Sequence, residues 1–190
     1  MEIKIRTVRP EDAGALADIY SYYVENTAIT FEYDAPDEAE FRRRIAAITA
    51  RYPFVIAEAD GEVAGYGYTG AFKERAAYDW AVETSIYVRN GAQGCGIGSA
   101  IYDALEKISA KQHVTNMNAC IAYTEIEDEF LTNGSTRFHE ASGYSMVGRF
   151  HKCGYKFDRW YDMVWMEKII ADHPEKPEKF VPFAEIEAVV

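Results

Sequence analysis

Four glycines fall within eight residues of the stretch "NGAQGCGIGSAIYDALEKI", residues 90–108, and the run passes straight into a helix-like pattern. Such a turn lets a ligand lie against bare backbone. The N–H groups of a helix's first turn lack partners, the helix dipole is positive there, and glycine admits a phosphate. Two familiar phosphate loops do not fit. A nucleoside-triphosphatase loop needs Lys and then Ser or Thr after its last glycine, whereas Gly96 is followed by Ile97. A dinucleotide fingerprint counted from Gly94 finds Ser99 where its third glycine belongs, and counted from Gly96 it finds Ile101. What remains is Q-x-x-G-x-G, namely Gln93, Gly96 and Gly98. It reads as an anion cradle or as an ordinary tight strand-to-helix turn.

Glu83 is the second group with chemical promise. It stands among apolar neighbours in "YDWAVETSIYV", where an ionised carboxylate is costly unless paired or solvated. Burial that raises its pKa would suit it to accept a proton from an amine. A cross-strand ion pair or a solvent-facing position is the plainer alternative.

The elements that must position these groups follow from periodicity. Residues 2–8 alternate as a strand, and residues 11–25 put Leu16, Ile19, Tyr20, Tyr23 and Val24 on one helix face. Asp37 with Glu40 reads as a capping box before a helix carrying Phe41, Ile45 and Ile48. "FVIAEADGEVAGYGYTG" predicts two strands around an Asp60-Gly61 turn, and residues 78–88 predict another strand. Ile97, Ala100, Ile101, Ala104, Leu105 and Ile108 mark the helix after the glycine loop. "VTNMNACIAY" predicts a strand, "STRFHEASGY" a short helix ended by Gly143, and the remainder to Ile170 two strands around the Gly154 region. The order β-α-α-β-β-β-α-β-α-β-β is an α/β layer with a mixed β-sheet flanked by helices.

Composition narrows the function. A chain of 190 residues, 48% apolar and 14% aromatic, supports one buried core with a tail. The expected division is a domain over residues 1–170 and a C-terminal extension over 171–190, where Pro174, Pro177 and Pro182 punctuate a charged stretch. The end, "FAEIEAVV", is expected to pack on a neighbouring surface through Ile186, Val189 and Val190. No apolar run suits a membrane span and "MEIKIRTVRP" has no signal core, so the expected location is cytoplasmic. Cys95, Cys120 and Cys153 lack C-x-x-C spacing, which predicts reduced thiols and no metal site. A formal charge of −11 opposes nucleic acid or anionic membrane as partner. Arg42, Arg43 and Arg44 are expected to point apart on a helix, solvated.

The blocks "YDWAVETSIYV", "FKERAAYDW", "ASGY" and "CGYKFDRWYDMVW", together with the Q-x-x-G-x-G loop, resemble the GNAT superfamily of N-acetyltransferases. Within it they look like phosphinothricin acetyltransferase and its relatives acting on methionine sulfone and sulfoximine. The similarity runs from about residue 2 to 168. It implies a GNAT fold with splayed central parallel strands, acetyl-coenzyme A as co-substrate, a small-molecule amine acceptor and a homodimer. By this resemblance Ile86, Tyr87 and Val88 offer main-chain partners to the pantetheine arm. The loop Gln93, Gly94, Cys95, Gly96, Ile97, Gly98 and Ser99 wraps the pyrophosphate, and Asn133 and Ser135 steady the arm or cap a helix. Cys95 is then an ordinary variable position, not a nucleophile.

The same resemblance makes Glu83 the general base, and His139 a proton relay or acid, or else a packed helix histidine. Tyr87 is a weaker candidate acid, and an N–H near Val88 would serve the oxyanion. Lys73 and Arg75 would meet the acceptor's anionic group, with Phe31 and Tyr78 walling its pocket. The family shows Asn two residues after its Arg where this chain has Ala76 directly after Arg75, so acceptor preference can differ. The reading is direct acetyl transfer to an α-amine in a ternary complex. Acetylation of protein N-termini or another amine, and a non-catalytic acyl-coenzyme A binder, are the alternatives.

Overall fold

Alternating β-branched and aromatic side chains draw seven segments into strands: β1 (Ile3–Thr7), β2 (Phe54–Ala59), β3 (Glu62–Ala71), β4 (Ala81–Val88), β5 (Asn116–Tyr123), β6 (Ser145–Lys156) and β7 (Arg159–Ile169). A computed structural model of the chain, describing residues 2–186, joins them in one sheet of order β1-β2-β3-β4-β5-β7-β6. Among the described residues β4 and β5 form the only parallel pair; the other neighbours are antiparallel. Four α-helices cover the sheet: α1 (Ala13–Asn26), α2 (Glu38–Thr49), α3 (Ile97–Lys111) and α4 (Gly134–Ala141). This is the expected mixed sheet flanked by helices, with the expected element order.

The two faces have separate cores. Ile97, Ile101, Leu105 and Ile108 of α3 pack on Val55, Ala57, Val82 and Met117. On the opposite face Leu16, Ile19, Tyr20 and Tyr23 of α1, with Phe41 and Ile45 of α2, cover Phe54, Ile56 and Tyr66. Each such buried side chain contributes about 1.5–3 kcal/mol. Asp37 caps α2, its Oδ1 accepting the Glu40 N–H at 2.8 Å, while the Glu40 carboxylate turns to Arg43 and Arg44 and leaves the box half closed.

Three expectations need correction. Residues 78–80 are not strand: Ala76–Tyr78 is a 3₁₀ turn, and β4 begins at Ala81. There Trp80 turns its carbonyl to the N–H groups of Thr115 and Asn116, at 2.8 and 3.1 Å. The β6–β7 turn is not at Gly154 but at Phe157-Asp158, with φ of 52° and 58°. Gly154 lies in an irregular stretch of β6 where the Phe31 ring sits against its Cα, leaving no room for a Cβ. Arg44 is not simply solvated, since its guanidinium lies over the rings of Tyr20 and Phe41 and pairs with Glu32 and Glu40. The C-terminal segment does pack on a surface as expected for Ile186: with Phe180 and Phe183 it rests against the α3-side core. Val189 and Val190 lie outside the described residues.

Gly67 sets how near α3 comes to β3, because a Cβ there would stand 2.5 Å from Ile101 Cγ2 and 3.1 Å from the Ser85 carbonyl. Gly67→Ala should therefore cost about 1–3 kcal/mol through overpacking. Urea titration checks it, with a lowered midpoint at unchanged slope as the expected outcome.

Candidate active site

β4 and β5 stay in register only from Ala81↔Asn116 to Glu83↔Asn118 and then part. Each continues along its other neighbour: β4 on β3 through Val88, β5 on β7 through Tyr123. At the point of parting Thr84 Oγ1 donates to the Asn118 carbonyl at 3.0 Å, and Asn118 Nδ2 donates to the Val82 carbonyl at 3.1 Å. Beyond them a narrow cavity opens, lined by Ile86, Cys120, Leu131, Ser135, Tyr102 and His139 among others.

Strand residues direct their N–H and C=O groups to alternate sides. Arg89 N–H donates to the Ala64 carbonyl and Phe72 N–H to the Ala81 carbonyl, which turns Ala81, Glu83, Ser85 and Tyr87 toward β3. Thr84, Ile86 and Val88 therefore turn toward the gap. Of the three residues expected to offer main-chain partners, Ile86 and Val88 face it and Tyr87 does not. The Val88 carbonyl is further taken by the Tyr23 hydroxyl, leaving its N–H. Val88 also lies five residues past Glu83, about 16 Å at a strand's rise, too far to serve the same reacting carbon. Ile86 N–H is the nearer donor on the gap side.

The glycine loop follows β4 directly. Gly94 and Gly96 adopt φ of 77° and 84°, which a side chain would strain, and Gly98 lets the Phe138 ring approach to 3.1 Å from where a Cβ would be. Ile97 anchors the turn in the core, while Gly94, Cys95, Gly96 and Ser99 are exposed. Among the described residues no acceptor is in hydrogen-bond geometry with the N–H groups of Gly94 to Ser99; the helix ladder begins with Ala100 N–H donating to the Gly96 carbonyl at 3.0 Å. The Gln93 side chain braces this shape, its Oε1 accepting Gly91 N–H at 2.7 Å and its Nε2 donating to the Tyr23 hydroxyl at 3.3 Å. A diphosphate fits this row of unpaired donors at a helix's positive end.

Asn133 and Ser135 divide. The Asn133 amide is used at both ends by the Thr124 backbone, accepting its N–H at 3.2 Å and donating to its carbonyl at 2.8 Å, so it shapes the loop before α4. Ser135 lines the cavity between the strands. Neither side chain makes a helix-capping hydrogen bond.

Glu83 sits half-buried on the sheet face away from α3, opposite Gly70. Burial raises its carboxyl pKa, and the ammonium of Lys73 pulls it part of the way back. Lys73 Nζ lies 4.8 Å from the Phe72 ring centroid and 5.4 Å from that of Trp165, held by cation–π attraction. Arg75 is exposed and has no ion-pair partner among the described residues. Tyr78 is exposed beside Phe72, and Phe31 covers Gly154. Cys120 shares the Glu83 face, where burial pushes its thiol up to about 12 and leaves it neutral.

His139 is 2% exposed, and burial lowers its pKa, so the ring is neutral. Its Nδ1 lies 2.7 Å from the Ser135 carbonyl, an acceptor only, and so carries the hydrogen. Nε2 then accepts from the Tyr102 hydroxyl at 2.6 Å. Tyr102, which the sequence reading passed over, stands between His139 and the gap, with Thr84 Oγ1 at 3.2 Å. Its position four residues after Gly98 on α3 was the available signal. The Tyr87 ring, by contrast, is packed among Tyr20, Tyr23 and Tyr66 on the α1 side of the sheet, away from α3. It is no candidate acid.

Comparison with known proteins finds relatives along nearly the whole chain. The acetyltransferase (GNAT) domain family matches residues 5–165. The chain is 32% identical to phosphinothricin N-acetyltransferase of Streptomyces viridochromogenes over 92% of each chain. It is 27% identical to the L-methionine sulfoximine/L-methionine sulfone acetyltransferase of Salmonella typhimurium, over 89% of this chain and 95% of the other. Among solved structures, a GNAT-superfamily phosphinothricin acetyltransferase from Sinorhizobium meliloti in complex with AcCoA superposes with a TM-score of 0.86 at 32% identity. That match covers 96% of this chain and 97% of the other.

The Glu83 environment is directly testable. A side-chain carboxyl titration by NMR should place Glu83 above the ordinary carboxylate range, and Lys73→Ala should move it further up by removing the ammonium that lowers it. An unmoved or lowered value in the variant would show that Lys73 does not act on Glu83.

Proposed function

The chain belongs to the GNAT acetyltransferase family, and on that footing we propose that it moves the acetyl group of acetyl-coenzyme A to the α-amine of a small amino-acid-like acceptor of the phosphinothricin or methionine sulfone type. One observation carries the reading. A helix-opening row of unpaired N–H groups continues into a gap between two strands, and a half-buried carboxylate stands where they part.

The N–H groups of Gly94 to Ser99 would hold the diphosphate, and the Ile86 and Val88 main chain and Ser135 the pantetheine arm. The thioester supplies an activated acetyl group. An α-amine with a pKa of about 8 is roughly a tenth neutral at pH 7. Glu83, made more basic than an exposed carboxylate by burial, takes the amine proton as the nitrogen attacks. Ile86 N–H is the donor available to the oxyanion. The Tyr102 hydroxyl, kept protonated because burial drives its pKa far up, would turn its one hydrogen from His139 Nε2 to the departing sulfur. His139 orients that hydroxyl and so acts through Tyr102.

On the acceptor side Lys73 and Arg75 receive the anionic group, and Phe31 and Tyr78 flank it. The three cysteines are free, which supports a cytoplasmic setting. Among the described residues no helix is long and apolar enough to cross a membrane. Met146 and Trp160 of the β6–β7 hairpin are exposed apolar surface, and a homodimer through that part of the hairpin would cover them.

Glu83→Gln should lower kcat by roughly 10²–10⁴ with acetyl-coenzyme A affinity nearly unchanged. Single-turnover assays beside calorimetry check both, and equal turnover at saturating acceptor would reject the base. The acid limb of the kcat/KM profile should lie above the ordinary carboxylate range, activity falling as Glu83 protonates, and should vanish in Glu83→Gln. Arg75→Ala should raise the acceptor KM by about tenfold or more while sparing the cofactor. Equal losses for both ligands would make Arg75 structural.

A further inference from the structure

A second and larger cavity, about 650 Å³, opens on the same sheet face as Glu83 but on the other side of the point where β4 and β5 part. Its floor is the still-paired beginning of the two strands, Ala81, Asn116 and Asn118, and its walls are mostly aromatic: Phe72, Tyr78, Trp80 and Trp165. Val147, Gly148 and Phe150 of β6 with Glu167 of β7 form one further side, and His173, Pro174 and Pro177 from the segment that follows β7 form another.

That segment is fastened at several points. Trp80 Nε1 donates to the Glu178 carbonyl at 2.7 Å, and Gln112 Nε2 donates to the Val181 carbonyl at 3.0 Å. His173 Nε2 lies 2.8 Å from Asn116 Oδ1. Phe180 packs on Tyr52 beneath the Arg51 guanidinium, 4.4 Å from the ring centroid. The wall is thus built into the fold.

We propose that this cavity receives the acceptor's side chain, and that the preferred acceptor is an α-amino acid bearing a large aromatic group, in place of the compact sulfone or phosphinate side chain; the proposal rests on the acetyl-transfer reading above. Position supports it. The cofactor arm has the parted halves of the strands, and the cavity lies beyond their meeting point, so the two ligands approach Glu83 from opposite directions. Ala81 shares the face of Glu83 two residues earlier, about 6.6 Å along the strand, a side chain's length from the amine. Lys73 marks the rim, its ammonium held over Phe72 and Trp165, so an α-carboxylate can stop there while the side chain continues among the rings. A cavity of this size and lining is typical of a site that buries an apolar ligand group with few polar contacts. An aromatic ring among such rings gains edge-to-face contacts that a methyl sulfone does not.

The test compares L-tryptophan, L-phenylalanine and L-methionine sulfone as acceptors with labelled acetyl-coenzyme A, in the full chain and in Gly148→Leu. Gly148 lines the cavity opposite Trp165, and a Cβ there meets nothing within 4 Å, so leucine enters the cavity without strain. The expected result is a kcat/KM for an aromatic acceptor about tenfold or more above that for the sulfone, with the preference falling about tenfold in Gly148→Leu, through KM. Efficient transfer to the sulfone with poor transfer to the aromatics overturns the proposal and leaves acetyl transfer standing. An equal loss for all acceptors in the variant also overturns it. So does a changed oligomeric state with unchanged preference, since the cavity then faces a second copy of the chain. Binding of acetyl-coenzyme A without transfer to any amino acid overturns the acetyl-transfer reading itself.

Discussion

The structure depends on two neighbouring parallel strands that pair for three residues and then refuse to pair. An unpaired strand edge inside a protein is expensive, because each buried N–H or C=O without a partner costs about 1–3 kcal/mol. It is tolerated here because each strand is fully satisfied on its other side, β4 by β3 and β5 by β7. The sheet behaves as two sheets joined at a short seam. Thr84 and Asn118 lock the seam with side-chain hydrogen bonds to the facing backbone, so the parting point is fixed to a residue. A pantetheine arm carries amides of its own and can supply the partners the strands withhold from each other.

The electrostatics of the site are local. The chain carries a formal charge of −11, which repels an anionic co-substrate at long range, and the counter-effect comes from oriented backbone dipoles at the start of α3 and not from a basic patch. Glu83 shows the same locality. Its pKa is set by two opposing neighbours, the low-dielectric surroundings that raise it and one lysine that lowers it. The lysine is itself positioned by two aromatic rings, so the basicity of the carboxylate depends on the packing of Phe72 and Trp165.

What the sequence made legible follows the range of the forces involved. The α3 stripe, the Asp60-Gly61 turn, the Asp37 cap and the glycine loop are local patterns, and each is where the residues placed it. Phe157-Asp158 was missed as a turn because neither residue is glycine, while Gly154 drew the turn to itself although its smallness answers to Phe31, more than a hundred residues away in sequence. Tyr102 was hidden for a similar reason. On the helix it passes for one more large residue flanking the core stripe, and only the arrival of α4 gives its hydroxyl a histidine to hold. That the tail packs was legible from its apolar end, but nothing local announces that Phe180 meets Tyr52 and Arg51.

The two ligand sides differ in what they demand of the sequence. On the proposed cofactor side the contacts would come from main chain, so side chains there need mainly to be absent, as at Gly94 and Gly96, or to hold the backbone in shape, as Gln93 does. On the proposed acceptor side the surfaces are side chains, Lys73, Phe72 and Trp165 among them, and an exchange there would change what can bind. Relatives at about a third identity can therefore share the carrier site almost intact while their acceptor sites diverge. The residues that form one side of the larger cavity, His173, Pro174 and Pro177, lie past residue 165, where the family match ends. On the proposed reading, a segment past the family match that borders the acceptor side would be a direct physical route by which one chain could alter its acceptor without disturbing the seam between β4 and β5.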